Sequence, residues 1–120
     1  MKQTEHYEQV KLFQWAKAQS SKYPQLTMMF AIPNGGQRNI VTATKLKAEG
    51  VKSGVPDIFL AFPSIGCHGL FIEMKSPKGK VSDNQRCWMA ALSANEYLTA
   101  CCHSFDEAKE IICEYLEIKP

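Results

Sequence analysis

The sequence predicts a mixed α/β fold, a small sheet with helices on its faces, in the order α-β-α-β-β-α-β-α. Three observations carry this. Stretches with apolar residues at helical spacing alternate with apolar runs of strand length. Two of those runs, residues 57–62 and 69–75, are joined through Pro63-Ser64-Ile65-Gly66 and so form an antiparallel hairpin. No repeat, low-complexity segment or compositional break divides the chain, so its 120 residues read as one domain, 1–120.

The first helix covers residues 4–20. Thr4 is its expected cap; Tyr7, Val10, Phe13 or Gln14, and Lys17 follow helical steps, and Leu12, Trp15 and Ala16 widen the apolar face. Leu26 to Ile32 reads as a strand, followed by a turn at Pro33-Asn34-Gly35-Gly36. Residues 38–48 fit a second, basic helix closed by Gly50. The hairpin follows, then a basic loop, Ser76-Pro77-Lys78-Gly79-Lys80. Ser82 caps a third helix, 83–94, with Trp88, Met89, Ala91 and Leu92 as its apolar face; Asn95 is expected to end it in the left-handed conformation. Tyr97 to Cys102 is a strand. Ser104 caps the last helix, 105–117, with Ala108, Ile111, Ile112, Tyr115 and Leu116 turned inward.

Hydrophobic residues make up 45% of the chain, enough for a core without disulfide staples. No run of eighteen apolar residues suggests a membrane span, and the N-terminus leads into a charged helix instead of an apolar signal core. A cytoplasmic protein, without membrane partners, is expected. The five cysteines (67, 87, 101, 102 and 113) form no CxxC and are read as reduced core or turn residues. Net charge is only +2, but it is unevenly spread. Residues 37–54 carry Arg38, Lys45, Lys47 and Lys52 against Glu49, and residues 75–86 carry Lys75, Lys78, Lys80 and Arg86 against Asp83. The C-terminal helix is acidic. A basic middle suits a phosphate-rich polymer, although such charges also occur as ordinary solvated faces.

The chemistry centres on Asp57, Glu73 and Lys75. Asp57 follows Pro56 and opens one strand; Glu73-Met74-Lys75 ends the other. Period-2 alternation puts Glu73 and Lys75 on one face. Hydrolysis of a phosphodiester requires cations against the growing negative charge and a water made nucleophilic at neutral pH. A magnesium or manganese ion on hard oxygen ligands supplies most of this. Asp57 and Glu73 are such ligands, and the Met74 backbone carbonyl is a candidate third. The Lys75 ammonium can steady charge on water or phosphate. Glu8 on the first helix can turn a carboxylate toward the same ion, directly or through water, with Glu5 as the competitor one turn away. Gln85, in the first turn of the third helix, can orient water or phosphate, and also reads as a surface residue.

Pro56-Asp57 and Glu73-Met74-Lys75 resemble the PD-(D/E)xK nuclease signature. Tyr7-Glu8-Gln9, Ile32-Pro33-Asn34-Gly35-Gly36-Gln37-Arg38, Lys47-Ala48-Glu49-Gly50-Val51, Gly54-Val55-Pro56-Asp57 and Ser82-Asp83-Asn84-Gln85, in this order, resemble the VRR-NUC branch of that superfamily. The resemblance covers about residues 5–116 and is strongest to the compact stand-alone members of phages and prophages. It implies a restriction-endonuclease-like core and a magnesium- or manganese-dependent nuclease. It implies metal-binding acids at Asp57 and Glu73, a catalytic lysine at Lys75, and supporting roles for Glu8 and Gln85. It also implies a homodimer acting on branched DNA, including four-way junctions, whose symmetry a twofold dimer would match. Flap- or RNA-directed cutting, or a catalytically silent module binding DNA or protein, are the alternatives. Arg38, Lys45, Lys47, Lys52, Lys78 and Lys80 are the expected phosphate contacts. Met28, Met29 and Phe30, or Ile40 and Val41, are candidates for a dimer interface, with core as the preferred reading.

Overall fold

In a computed structural model, residues 3–33 and 40–119 are described. Arg38 and the Asn34-Gly35-Gly36 turn lie outside them. The elements are α1 (Gln3–Gln19), a short 3-10 helix (Pro24–Met28), β1 (Met29–Ala31), α2 (Ile40–Ala48), β2 (Ile58–Leu60), β3 (Leu70–Met74), α3 (Asp83–Ala94), β4 (Leu98–Cys102) and α4 (Phe105–Leu116). The order is the expected α-β-α-β-β-α-β-α with one change. Pro24 favours a first helical turn, so the first half of the expected 26–32 strand is wound into the 3-10 helix. Thr4 lies inside α1 and not at its cap.

The sheet order is β1-β2-β3-β4. The first two pairings are antiparallel and β3–β4 is parallel. One face is the core. Ile58, Leu60, Leu70, Ile72 and Met74 are fully buried there against Leu12 and Ala16 of α1 and Ala108, Ile112, Tyr115 and Leu116 of α4. The Tyr115 hydroxyl would be expensive to bury alone; it donates to the Phe62 carbonyl at 2.6 Å. The face that α1 buries runs through Glu5, Leu12 and Ala16, while Tyr7 and Val10 stay exposed.

Strand alternation fixes the other face. Phe30, Phe59 and Phe71 stand side by side across β1, β2 and β3, with Phe59 stacked on Phe71 at 4.3 Å between ring centroids. One step further along, about 7 Å, the same register sets Asp57 opposite Glu73, and Glu73 opposite Cys101 of β4. The polar residues of the hairpin therefore emerge at one end of the face that the core does not use.

Two helix ends differ in kind. Gly50 closes α2 with φ of +101°, as expected of a C-terminal glycine. After α3, however, Asn95 keeps φ of −104°, and Glu96 takes the left-handed position at φ +67°. The Asn95 side chain instead bonds the Ala91 carbonyl at 2.8 Å, which holds Asn95 on the helix and moves the reversal one residue on. The preferred core reading of the interface candidates holds only for Met29. Met28, Phe30, Ile40 and Val41 are exposed, because α2 contributes no buried residue and β1 is the sheet edge.

Candidate active site

The site is built on the ends of β2 and β3 and the first turn of α3. Asp57 is 9% and Glu73 2% exposed. The backbone N–H of Met74 donates to Asp57 Oδ2 at 2.8 Å, so the central strand fixes the aspartate carboxylate. Lys75 leaves the sheet just after Glu73, its N–H donating to the Cys102 carbonyl at 2.9 Å. Its Nζ returns to within 3.6 Å of Glu73 Oε2, with only 17% of the side chain exposed. The expected shared face of Glu73 and Lys75 is thus present.

Gln85 is tied in by a helix cap. The Ser82 hydroxyl accepts the Gln85 backbone N–H at 3.1 Å, and Gln85 Oε1 accepts the Ser82 N–H at 2.8 Å. With its oxygen held, the amide Nε2–H donates to Glu73 Oε2 at 3.0 Å. Glu73 Oε2 therefore faces both Gln85 and Lys75, while Oε1 is buried without a hydrogen-bond partner among the described residues. Burial, and after it the negative charge of Asp57, pushes the Glu73 carboxyl up to about 8, with Lys75 pulling the other way. Burial and then Glu73 also raise the Cys101 thiol, which sits across the sheet from that carboxylate.

Glu8 is held at the start of α4. Its Oε1 accepts the Phe105 N–H at 2.9 Å, at the start of α4, and its Oε2 pairs with Lys11 at 2.9 Å. The unfilled N–H groups of a helix start attract a carboxylate, and this draws Glu8 to α4. Glu5 is the more buried of the two. Among the described residues no group of three or more His, Cys, Asp or Glu side chains could hold a metal, so Glu8 does not complete a three-carboxylate cluster. The five cysteines are free thiols.

Lys45 and Lys47 are exposed on the last turn of α2, Lys52 in the loop after it, and Lys78 and Lys80 in the loop after β3. None of the five makes an ion pair among the described residues. The 50–54 loop is anchored next to the site: Asn84, one residue before Gln85, donates to the Ser53 carbonyl and hydroxyl at 3.0 Å. Gly54 makes this possible, since its φ is +87° and a Cβ there would meet Asn84 Nδ2 at 2.6 Å. Sequence reasoning missed this anchor, and no spacing signals it. The Gln85–Ser82 link did have a signal, the S-x-x-Q capping pattern.

The fit to a divalent ion rests on the donors themselves. Two buried carboxylates stand together, one of their oxygens lacks a partner, and one carboxyl is pushed to hold a proton where a dication would remove the repulsion. No helix among the described residues is long and apolar enough to cross a membrane.

Comparison with known proteins bears on the family and the fold. A search of curated proteins returns no match. A solved structure described as a VRR_NUC domain protein superposes with a TM-score of 0.81 at 25% identity, covering 98% of this chain and 92% of the other. The VRR-NUC domain model, a nuclease module of the restriction-endonuclease-like superfamily, matches residues 2–106. With that match over most of its length and that likeness of fold, the chain belongs to the VRR-NUC domain family.

Proposed function

We propose that the chain, as one nuclease domain, is a magnesium- or manganese-dependent endonuclease that hydrolyses phosphodiester bonds in branched DNA such as four-way junctions. One observation carries it: the adjacent, buried Asp57 and Glu73 carboxylates, with Lys75 Nζ 3.6 Å from Glu73. Asp57, Glu73 and the Met74 carbonyl would hold the ion. When bound, such an ion supplies positive charge that polarises the phosphate and activates water. Asp57 is kept in place by the Met74 N–H, and Glu73 by Gln85. Lys75 Nζ lies 3.6 Å from Glu73, and its ammonium can hold a water or offset charge on a phosphate oxygen. Glu8 supports the site by joining α1 to α4.

The exposed lysines at 45, 47, 52, 78 and 80, together with Arg38, are assigned to the phosphate backbone, where contacts position the substrate without reading sequence. A homodimer would present two such sites to two strands. Exposed Phe30, Ile40 and Val41 give it apolar surface.

The test offers purified protein linear duplex, single-stranded, flap and four-way-junction DNA with manganese, magnesium or chelator. The reading expects metal-dependent incision, strongest on the junction, and a dimer in sedimentation at micromolar concentration. Absence of cutting on every substrate with either metal would refute it.

A further inference from the structure

We propose that His103 is a positioning residue for DNA binding at this site. Its imidazole clamps the 76–80 turn, and with it Lys78, Lys80 and the root of Lys75, to the β4–α4 junction. The inference rests on the nuclease reading above.

After Lys75 the chain leaves the sheet and folds back on itself. The Gly79 N–H donates to the Ser76 carbonyl at 2.8 Å, closing the turn. The turn then lies against Lys75. A Cβ at Gly79 would stand 3.3 Å from Lys75 Cβ, 3.0 Å from Ser76 Oγ and 3.2 Å from the Ser76 carbonyl oxygen, so only glycine fits without displacing them. The Gly79–Ser76 bond is local. The tie to the rest of the molecule comes from His103, whose Nε2 lies 3.1 Å from the Gly79 carbonyl. A carbonyl only accepts, so the proton is on Nε2.

His103 is well placed to act as an anchor. It directly follows β4, whose last residue, Cys102, is buried. Glu107 of α4 meets it from the other side, with Oε1 3.7 Å from Nδ1 and 3.4 Å from the His103 backbone N–H. Glu107 is itself on a capped turn, its N–H donating to Ser104 Oγ at 3.1 Å. Gly79 is flanked by Lys78 and Lys80, both exposed, so the carbonyl held by His103 sits between two cations. Among the described residues, no other hydrogen bond joins the 76–80 segment to a distant part of the chain. Holding the turn before DNA arrives spares the ordering that two free lysine-bearing residues would undergo on binding.

The test uses the full chain and two readouts. His103→Phe keeps the ring volume and removes the donor; His103→Gln keeps an N–H able to reach the same carbonyl. Amide exchange at Gly79 should quicken by about tenfold in His103→Phe while β3 and β4 keep their protection. Affinity for a four-way junction, measured by anisotropy in chelator so that nothing is cut, should fall about three- to tenfold. His103→Gln should recover most of both. Unchanged Gly79 exchange in His103→Phe overturns the clamp. Faster exchange with affinity within about twofold of wild type, or His103→Gln behaving like His103→Phe, overturns the positioning role. Wild-type protein that binds no DNA contradicts the nuclease reading instead, and Gly79 exchange then still decides whether the clamp exists.

Discussion

Gln85 donates its side-chain amide to Glu73 Oε2 at 3.0 Å while its own oxygen is held by the N-terminus of α3. A helix cap thus aims a site carboxylate. The amide cannot rotate away without giving up the Ser82 N–H, so the direction of Glu73 is set by where α3 begins. Replacing Gln85 with Ala should lower cleavage about tenfold or more and stability by about 1 kcal/mol. Gln85→Glu separates the two effects, because its oxygen can still accept from Ser82 but nothing is left to donate to Glu73. Single-turnover cleavage beside urea denaturation would check this. Equal activity in all three proteins would contradict it.

Among the described residues, Lys75 is the cation that reaches the carboxylate pair. Lys75→Ala should reduce the cleavage rate by about a hundredfold to a thousandfold, as loss of a charge-stabilising donor does elsewhere. Junction binding in chelator should change little, since the exposed lysines carry the backbone contacts. A parallel loss of affinity and rate would make Lys75 a binding residue only.

Glu73 links the site to stability through pH. Its folded-state value near 8 lies above the ordinary 4.5. Between those values the folded chain keeps a proton that the unfolded chain has lost, so the contribution of Glu73 to stability is greatest below pH 4.5 and falls as pH rises toward 8. In chelator, Glu73→Gln should remove this decline and raise stability at pH 8 by about 0.5–2 kcal/mol; with manganese present it should abolish cleavage. Denaturation curves of both proteins at pH 5 and pH 8 read it directly. A mutant less stable than wild type at pH 8 would count against the strained pair.

Glu8 makes a contrasting prediction. The Phe105 N–H, followed by Lys11, holds its carboxyl below the usual value. Its contribution to stability is therefore present above the ordinary carboxylate range and is lost as pH falls through the lowered value. Glu8→Ala should cost about 1 kcal/mol of stability at neutral pH, as loss of a capping carboxylate does, and leave manganese affinity unchanged. Weaker manganese binding at unchanged stability would return Glu8 to the ion.

Much of this was legible in the sequence because it depended on local rules. Alternation placed Glu73 beside Lys75, the Pro-Asp and Glu-x-Lys ends defined one hairpin, and Ser82 and Gly50 marked helix ends. What escaped depended on packing between distant segments. Glu8 reads as a free helix-surface acid until α4 is seen to begin beside it. Ile40 and Val41 read as core until α2 is seen to bury nothing. His103 and Gly79 are 24 residues apart, and no pattern relates them. Asn95 was the natural choice for a left-handed turn, but its bond to Ala91 passes the turn to Glu96.

The most direct test of the central claim is calorimetric titration of manganese into the protein at pH 7 in buffers of different ionisation enthalpy. If Asp57 and Glu73 hold the ion, binding displaces the proton that Glu73 carries, and about one proton is released per ion bound. Glu73→Gln should bind far more weakly and release close to none. Manganese that binds equally well to both proteins, or without proton release to either, would contradict an ion held between Asp57 and Glu73.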